Sequence, residues 1–399
     1  MVPLVTAALR LVQPEQGGEW GNDPSDGAPT ISASLPFSMS AGQVEAAEKV
    51  RAWLRDPHRA PIFRLFGYAG TGKTSIAKML AAEVKGGPVY CAFTGKAALR
   101  MRQTGCADAS TIHRLIYKVS GEDGDTLRVT WQANSAASKA GIIVVDECSM
   151  VDEELARDLL RYGKPLLVLG DPFQLPPVRG RGYLTAAEPD AMLTEVHRQA
   201  LDNPILRAAT EIREGGSLQM GHHGALQVVE RGTLSVGDAC EFDQVLVGTH
   251  KLRRSYIKQM RKHEGRVGYF PEPGDRIICT RNHRKSGLFN GQVFKVIGSR
   301  TTAQCVNLRL IDEDDADAMV IDARCLQDGW RDPSWKPTPQ QGAIYQQFDF
   351  AQAMTVHKAQ GSEWGDVLVY DESAVFRNDA ARWLYTAITR AANTLTVVV

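Results

Sequence analysis

The segment Ile62–Thr74, with the sequence IFRLFGYAGTGKT, places a short apolar run directly before a glycine-rich loop that ends in lysine and threonine. Its last eight residues fit the pattern G-x-x-x-x-G-K-[ST], and the residues that follow predict a helix. Glycines let backbone N–H groups close around phosphate oxygens, and the start of a helix favours negative charge. We therefore expect a strand–loop–helix unit that binds a nucleoside triphosphate. Its binding residues would be Gly70, Thr71, Gly72, Lys73, Thr74 and Ser75.

The side chains needed for hydrolysis are found in this loop and in a second segment. Lys73 is expected to reach the β and γ phosphates, and the Thr74 hydroxyl is expected to bind Mg²⁺. The apolar run Ile142–Val145 is followed by Asp146 and Glu147, which would face the loop from the end of a buried strand. We assign Asp146 to Mg²⁺, mostly through its waters, and Glu147 to positioning and deprotonating the attacking water.

Three further residues are candidates for the hydrolysis site. Gln174 can donate and accept hydrogen bonds at once, so it could sense the γ phosphate, although a proline-stiffened turn is the alternative interpretation. Arg198 and Arg390 could each neutralise the charge that develops on the transferred phosphoryl group. Taken alone, each arginine is more often part of a surface ion pair.

Short apolar runs alternate with helix-like stretches in both halves of the chain, which is typical of parallel sheets. The runs are Ile62–Phe66, Val89–Phe93, Ile142–Asp146, Leu166–Leu169, Val245–Val247, Val367–Tyr370 and Thr394–Val398. Between about residues 268 and 345 the pattern changes to shorter runs, with Asn290-Gly291 as a turn signal, which indicates a small antiparallel barrel or meander. We therefore expect an α/β protein whose second domain is interrupted by a β insertion.

Composition narrows the class of protein. The chain has 399 residues, 46 Lys and Arg against 46 Asp and Glu, and 43% hydrophobic residues, which is typical of a globular protein with two or more domains. We expect a cytoplasmic protein with no membrane partner, because no apolar run approaches the roughly 20 residues of a spanning helix and a signal-peptide pattern is missing. Seven cysteines without a Cys-x-x-Cys pair predict neither a zinc site nor a disulfide framework.

The neutral total hides an uneven distribution of charge. Residues 251–300 carry 13 Lys and Arg against three acidic residues, whereas residues 301–330 carry seven acidic residues against Arg309 and Arg324. A basic segment of this density is typical of a solvated face or of a surface that binds nucleic acid. The charge count alone leaves both interpretations open.

Several segments, in a fixed order, resemble those of superfamily 1 DNA helicases of the RecD-like, 5′-to-3′ branch, over about residues 38–399. Besides the phosphate loop they are Ser40–Gln43, Ala92–Ala98, Ser110–His113, Asp146–Met150, Gly170–Pro177, Leu193–Gln199, Thr355–Glu363 and Leu384–Arg390. The resemblance implies two RecA-like P-loop motor domains with ATP and Mg²⁺ in the cleft between them. The first would span residues 38–190, with a short pin-like insertion at about 115–140. The second would span 191–267 and 346–399, with an SH3-like β-barrel at 268–345. Residues 1–37 lie before these domains, and their Pro-, Gly- and Ser-rich sequence predicts a flexible extension.

The resemblance also implies roles for individual residues. Gln43 would read the adenine edge, and Gly361 and Glu363 would lie near the nucleotide. Single-stranded DNA would be contacted by Thr94, Lys96, Thr111, His113, Thr355, His357 and Lys358. Two departures leave contacts open: His250 stands where the family often has asparagine, and the pin region is short. Trp131 in the candidate pin Lys118–Trp131 is either a base-contacting wedge or a packed residue of a surface hairpin.

The leading hypothesis is an ATP hydrolase that translocates 5′ to 3′ on single-stranded DNA and unwinds duplex DNA ahead of it. Its partners would be single strands and single-strand/duplex junctions, with replication or recombination proteins as further partners, and one chain would suffice as a motor. The alternative is an ATP-switched DNA-binding or remodelling module that closes on a strand without separating it. A phosphotransferase is a third hypothesis, which the paired arginines and the second α/β domain disfavour. Polarity and the choice of DNA over RNA follow from the resemblance alone.

Overall fold

A computed structural model describes residues 39–399 apart from 121–127, 177–182, 197–201, 282, 284, 285, 287, 289, 314–319 and 333. The first α/β layer is a sheet of parallel strands in the spatial order β3-β2-β6-β7-β1-β8. These strands are β1 (Ile62–Gly67), β2 (Pro88–Ala92), β3 (Ser110–Thr111), β6 (Ile142–Asp146), β7 (Leu166–Gly170) and β8 (Ala191–Leu193). Strands β4 (Tyr117–Ser120) and β5 (Arg128–Trp131) form a separate antiparallel hairpin.

Helices pack on both faces of this sheet and bury two apolar clusters. They are α1 (Ala41–Arg55), α2 (Lys73–Ala82), α3 (Gly95–Gln103), α4 (Ile112–Ile116), α5 (Ala136–Lys139) and α6 (Glu153–Leu160), with 3₁₀ turns at Cys148–Met150 and Tyr183–Thr185. Helix α1 begins at a capping box, because the Ser40 side chain accepts from the backbone of Gln43 and the Gln43 side chain accepts from the backbone of Ser40. Strand β6 is buried along Ile142–Val145 and ends at Asp146, so the acidic pair emerges from the sheet at its carboxyl edge.

The second α/β layer has the strand order β17-β11-β18-β19-β10-β9, and its pairs are parallel except for the edge strand β9. Its strands are β9 (Gly221–His223), β10 (Leu226–Val229), β11 (Gln244–Val247), β17 (Ala353–Thr355), β18 (Trp364–Tyr370) and β19 (Ala391–Val398). Helices α7 (Pro204–Arg213), α8 (Val236–Cys240), α9 (His250–His263) and α12 (Ala380–Ile388) surround it, with a 3₁₀ segment at Ser373–Asp379.

An antiparallel sheet is inserted between β11 and β17, in the order β15-β14-β13-β12-β16. Its strands are β12 (Arg276–Cys279), β13 (Val293–Thr301), β14 (Cys305–Asp312), β15 (Ile321–Leu326) and β16 (Phe348–Phe350). Two short helices, α10 (Asp328–Arg331) and α11 (Pro339–Ile344), lie between β15 and β16 in the chain. The buried carboxylate of Asp275 anchors this insertion, because Arg261 of α9 donates to both of its oxygens and Arg266 donates to Oδ1.

The α/β fold with parallel sheets is confirmed. The sheets extend past the predicted boundaries: β8 continues the first sheet beyond residue 190, and β16 continues the antiparallel sheet beyond residue 345. Both are three-residue strands, which are too short to show a period in the sequence. The predicted extension at 1–37 lies outside the described residues. None of the helices that the structure describes has the length and apolar character to cross a bilayer.

Candidate functional site

The phosphate loop joins β1 to α2 and is held in an open curve. Gly70 and Gly72 have φ angles of 75° and 80°, which glycine adopts without the steric cost of a Cβ atom. The Lys73 Nζ donates to the carbonyl oxygens of Gly67 and Tyr68, at 2.8 Å each. The ammonium is thereby held over the concave loop, where the backbone N–H groups and the start of α2 favour an anion.

Asp146, at the end of β6, accepts a hydrogen bond from the Thr74 hydroxyl at 2.9 Å. Burial raises the pKa of Asp146, and the negative charge of Glu147 raises it further. A buried carboxylate beside a hydroxyl is a donor set that fits Mg²⁺, since this ion uses few protein oxygens and keeps several waters. Thr74 and Asp146 are the residues that would hold it.

Glu147 is placed by an unusual backbone turn. Its φ angle of 50° lies in the left-handed region, which residues with a Cβ atom seldom adopt, and its N–H donates to Asp146 Oδ1 at 2.8 Å. The turn directs Glu147 into the cavity above the phosphate loop, which it lines together with Lys73 and Thr74. Backbone strain of this kind is common at functional sites.

This cavity, of about 410 Å³, lies between the two parallel sheets. The first sheet and its helices contribute the phosphate loop, Asp146 and Gln174, and the second contributes Gly361, Glu363 and Arg390. Of the predicted nucleotide residues, those that line the cavity are Gly70, Gly72, Lys73, Thr74, Ser75, Gly361 and Glu363. Thr71 is buried within the loop, where its hydroxyl donates to the Tyr68 carbonyl. Arg198 lies outside the described residues.

Gln174 and Arg390 both line this cavity, but they differ in their hydrogen bonds. The Gln174 Oε1 atom is buried and has no partner within the part of the chain that is described. The Arg390 guanidinium is buried and donates to the carbonyl oxygens of Thr386 and Ser362 and to the Thr389 hydroxyl, at 3.0–3.1 Å. A buried acceptor without a hydrogen-bond partner needs an explanation. A donor from a bound water molecule or from a nucleotide would satisfy the Gln174 Oε1 atom.

Tyr385, which the sequence did not single out, links the two sheets at the phosphate loop. Its hydroxyl donates to Asp171 Oδ2 at 2.6 Å and accepts from the Ala69 N–H at 2.8 Å. Tyr385 belongs to α12, whereas Asp171 follows β7 and Ala69 lies in the loop itself. Burial raises the pKa of Asp171 and, together with the negative charge of Asp171, that of Tyr385. One hydroxyl therefore connects the second α/β layer to two parts of the nucleotide site.

We expect Tyr385→Phe to reduce the stimulation of ATP hydrolysis by single-stranded DNA roughly tenfold, equivalent to about 1.4 kcal/mol. The substitution keeps the ring in place but removes both hydrogen bonds that cross the cleft. Hydrolysis rates with and without an oligonucleotide measure the effect. The matched control is Tyr90→Phe, which removes a hydroxyl that bonds within the first α/β layer only, to the Lys78 carbonyl. Equal stimulation in both variants would contradict a coupling role for Tyr385.

Thr94 and Lys96, which the resemblance predicts to contact the strand, lie in the cleft between the two α/β layers. The Thr94 hydroxyl donates to the Gly361 carbonyl, and the Lys96 ammonium lies 4.2 Å from the centre of the Trp364 ring. Beside them, Arg100 forms an ion pair with Glu363. The reason is that α3 packs its N-terminal half against the Gly361–Trp364 loop, so these side chains join the two layers.

Gln43, which the resemblance predicts to read the adenine edge, forms hydrogen bonds within the first α/β layer. Its amide Nε2 donates to the Thr71 carbonyl at 3.0 Å, and its Oε1 accepts from the Ser40 N–H. Only 1% of the residue is exposed, and it does not line the cavity. In this structure Gln43 supports the back of the phosphate loop because the capping box of α1 uses its amide.

The other predicted strand residues lie at the ends of β3 and β17. Thr111 caps α4 through its hydroxyl, and the His113 ring contacts Phe93 edge-on with a centroid distance of 5.9 Å. Thr355 is buried, while His357 packs on Phe376 at 5.4 Å. Burial lowers the pKa of His357 and of Lys358. The structure therefore groups Thr355, His357 and Lys358, with Thr111 and His113 on the other α/β layer.

The candidate pin is a hairpin whose tryptophan is packed. Trp131 donates from Nε1 to the Asp158 carbonyl at 3.1 Å, and its ring contacts Tyr162 at 4.8 Å and the Arg161 guanidinium at 4.1 Å. Trp131 is therefore a packed residue of a hairpin in this structure, as in the second of the two interpretations. The tip of the hairpin lies outside the described residues.

Comparison with known proteins places these features in a family. Residues 38–233 match the family described as an AAA domain, and residues 350–398 match the UvrD-like helicase C-terminal domain. The ATP-dependent RecD2 DNA helicase of Deinococcus radiodurans is 31% identical over 410 aligned residues, which cover 92% of this chain and 50% of that protein. The RecBCD enzyme subunit RecD of Mycolicibacterium smegmatis is 27% identical, covering 84% of this chain and 67% of that protein. The chain thus spans about half the length of the first of these relatives.

A solved structure shares the fold. The crystal structure of Bacteroides Pif1 bound to ssDNA aligns with a TM-score of 0.51 and 18% identity, covering 90% of this chain and 92% of that one. At this identity the likeness concerns the arrangement of the two α/β layers and carries no residue roles.

Proposed function

The chain belongs to the RecD-like superfamily 1 helicases, and on that premise we propose that it is an ATP-driven motor that translocates 5′ to 3′ on single-stranded DNA and unwinds duplex DNA. The observation that carries this proposal is the cavity between the two parallel sheets. It has the phosphate loop on one side and Arg390 on the other, so a nucleotide bound there would contact both layers. Its hydrolysis would then change the contacts between them.

We assign the hydrolysis steps to residues that line this cavity. Lys73 binds the β and γ phosphates, and the Glu147 carboxylate orients the attacking water and accepts its proton. Arg390 stabilises the negative charge that develops on the γ-phosphoryl group, and Gln174 senses its presence. Mg²⁺ held by Thr74 and Asp146 would supply charge neutralisation at the phosphate oxygens.

Strand binding would use the groups at the ends of β3 and β17. Thr111, His113, Thr355, His357 and Lys358 offer hydroxyl, imidazole and ammonium donors to a phosphate backbone, which carries no base sequence information. Single strands and single-strand/duplex junctions are therefore the proposed partners. We also infer that the antiparallel insertion is the SH3-like accessory domain. Because both sides of the cavity come from one chain, a monomer would suffice.

Strand displacement on tailed duplexes tests the polarity and the unwinding activity together. We expect ATP-dependent displacement from a duplex with a 5′ single-stranded tail and little from one with a 3′ tail. Preference for the 3′ tail would contradict the polarity while leaving the motor intact. Lys73→Ala provides the blank for both substrates.

A second function is favoured by one observation, the packing of Trp131 against Tyr162 and Arg161. Because Trp131 is packed in this way, its ring is not presented as a wedge that would separate base pairs. This suits a translocase that remodels protein–DNA contacts without separating strands. Movement on single strands, measured by displacement of streptavidin from a biotinylated end, without displacement of a complementary strand would support this alternative.

A further inference from the structure

A larger cavity, of about 820 Å³, lies outside the nucleotide site between α9 and the antiparallel insertion. One wall is α9 and the loop that follows it, and the other is built by β15, α10, the segment after α10, and β16. We refer to it as the α9 groove. It has a volume typical of small-molecule and nucleotide sites, and the motor assignments above do not use it.

The α9 wall carries a row of cations. Arg254, Lys258 and Lys262 are four residues apart, so they lie on one side of the helix over about 12 Å. All three are exposed, and they form no ion pair with any residue that the structure describes. By contrast, Arg253 and Arg261 in the same groove are buried and bound to Asp349 and Asp275. Asp349 is the single carboxylate among the described lining residues, so the groove presents uncompensated positive charge.

The facing wall and the rim carry aromatic rings. Trp330, Trp335 and Tyr345 are half-buried in the lining, and Tyr269 at the rim is 73% exposed. Exposed aromatic rings next to cations offer stacking surfaces for bases beside charge for phosphates. In addition, the buried Nε2 of Gln347, which also lines the groove, has no hydrogen-bond partner among the described residues. That amide donor could bind an acceptor on a base edge.

The groove begins next to the predicted strand surface. His250, the first residue of α9, lines the groove, and it lies close enough to His357 and Lys358 for their charges to influence one another. A strand that leaves the Thr355–Lys358 segment therefore meets the groove at its His250 end, where Asp349, the one carboxylate among the described lining residues, is paired with Arg253.

We propose that the α9 groove is an additional binding site for single-stranded nucleic acid, in which the cation row binds successive phosphates while the aromatic wall holds unstacked bases. The inference rests on the proposed function for its choice of ligand. The row of cations alone would also suit an acidic protein segment. The aromatic rings favour nucleic acid, because they can stack on bases and the carboxylates of an acidic peptide cannot use them in this way.

The test measures the affinity of the full chain for a fluorescent 20-nucleotide oligo(dT), by anisotropy without ATP, over a range of salt concentrations. Tyr269→Ala is expected to weaken binding about 5-fold to 100-fold, the effect of one lost stacking contact. Lys258→Ala and Lys262→Ala are each expected to lower the slope of log Kd against log salt by about 0.7. The matched control is Lys295→Ala, which removes an exposed cation of strand β13 that does not line the groove.

Two results would overturn the proposal. If oligo(dT) binds equally well to Lys258→Ala, Lys262→Ala, Tyr269→Ala and the Lys295→Ala control, the groove does not bind nucleic acid. Binding of an octaglutamate peptide that depends on Lys258 and Lys262, with unchanged oligo(dT) binding, would assign it to an acidic protein segment. The motor proposal is tested separately, by the ATP hydrolysis rate of the unsubstituted chain. A rate that DNA does not raise would contradict that proposal and would leave the groove result unaffected.

Discussion

Replacing Arg390 by alanine is expected to lower the turnover number for ATP hydrolysis by about 10³-fold or more, the effect of removing a guanidinium that stabilises the transferred phosphoryl group. Arg390 lines the nucleotide cavity from the second α/β layer, and three hydrogen bonds hold its guanidinium there. Steady-state hydrolysis at saturating ATP and oligonucleotide measures the change. Binding of a fluorescent ATP analogue should change much less, because the interaction develops in the transition state.

The same hydrogen bonds could make Arg390→Ala unstable, so two further variants accompany it. Arg390→Lys keeps the positive charge but not the planar set of donors, and it should also lose most activity. Arg382→Ala removes a half-buried arginine of α12 that does not line the cavity, and it should retain activity. Thermal melting separates loss of folding from loss of catalysis. Full turnover in folded Arg390→Lys and Arg390→Ala would show that the guanidinium does not act on the phosphoryl group.

Glu147→Gln is expected to lower the turnover number by about 10²-fold to 10⁴-fold, the usual contribution of a general base. The amide has the size of the carboxylate but cannot accept the proton of the attacking water. Nucleotide binding and strand binding should persist, so the variant should remain on DNA with ATP bound. Rapid-quench measurement of a single turnover isolates the chemical step from product release.

The control for Glu147→Gln is Glu154→Gln, an exposed carboxylate in the first turn of α6 that does not line the cavity. It should hydrolyse ATP at the unsubstituted rate. A Glu147→Gln protein that hydrolyses ATP as fast as Glu154→Gln would remove Glu147 from the role of base.

The sequence predicted the elements that depend on local pattern. Ile142–Asp146 was predicted with its observed bounds, because four consecutive buried apolar residues end at a charged pair. The phosphate loop followed from its glycine spacing, and the antiparallel insertion followed from the shorter runs and the Asn290-Gly291 turn signal between about residues 268 and 345. In these segments the residue type and its near neighbours determine the structure, so one sequence is enough.

Contacts between the two α/β layers could not be predicted in the same way. Tyr385 contacts Ala69 across 316 residues of chain, and nothing in the spacing of the segment Leu384–Arg390 distinguishes its hydroxyl from a packed ring. The resemblance predicts Thr94 and Lys96 as strand contacts, but nothing in the sequence indicates their contacts with Gly361 and Trp364 of the other layer. One feature of the sequence could have singled out Tyr385. It lies in the segment Leu384–Arg390 that resembles the family, five residues before Arg390.

These interlayer contacts give the proposed motor a physical route for coupling. Tyr385 connects α12 to the phosphate loop, and the Leu175 N–H donates to the Thr386 hydroxyl at 2.9 Å beside it. A strand bound at Thr355–Lys358 is near the loop Gly361–Trp364, which contacts α3. Nucleotide and strand therefore contact elements that meet in the same cleft. If the cleft closes when nucleotide binds and the closed cleft has a different affinity for the strand, the two binding events are coupled.

The central claim is that the nucleotide site and the strand site work together, and the steady-state rate of ATP hydrolysis with and without a single-stranded DNA oligonucleotide tests it most directly. Lys73→Ala is the blank, since it removes the ammonium held over the phosphate loop. We predict a large rise in rate on addition of DNA and no hydrolysis above background in the variant. Hydrolysis that requires Lys73 but is indifferent to DNA would contradict the account.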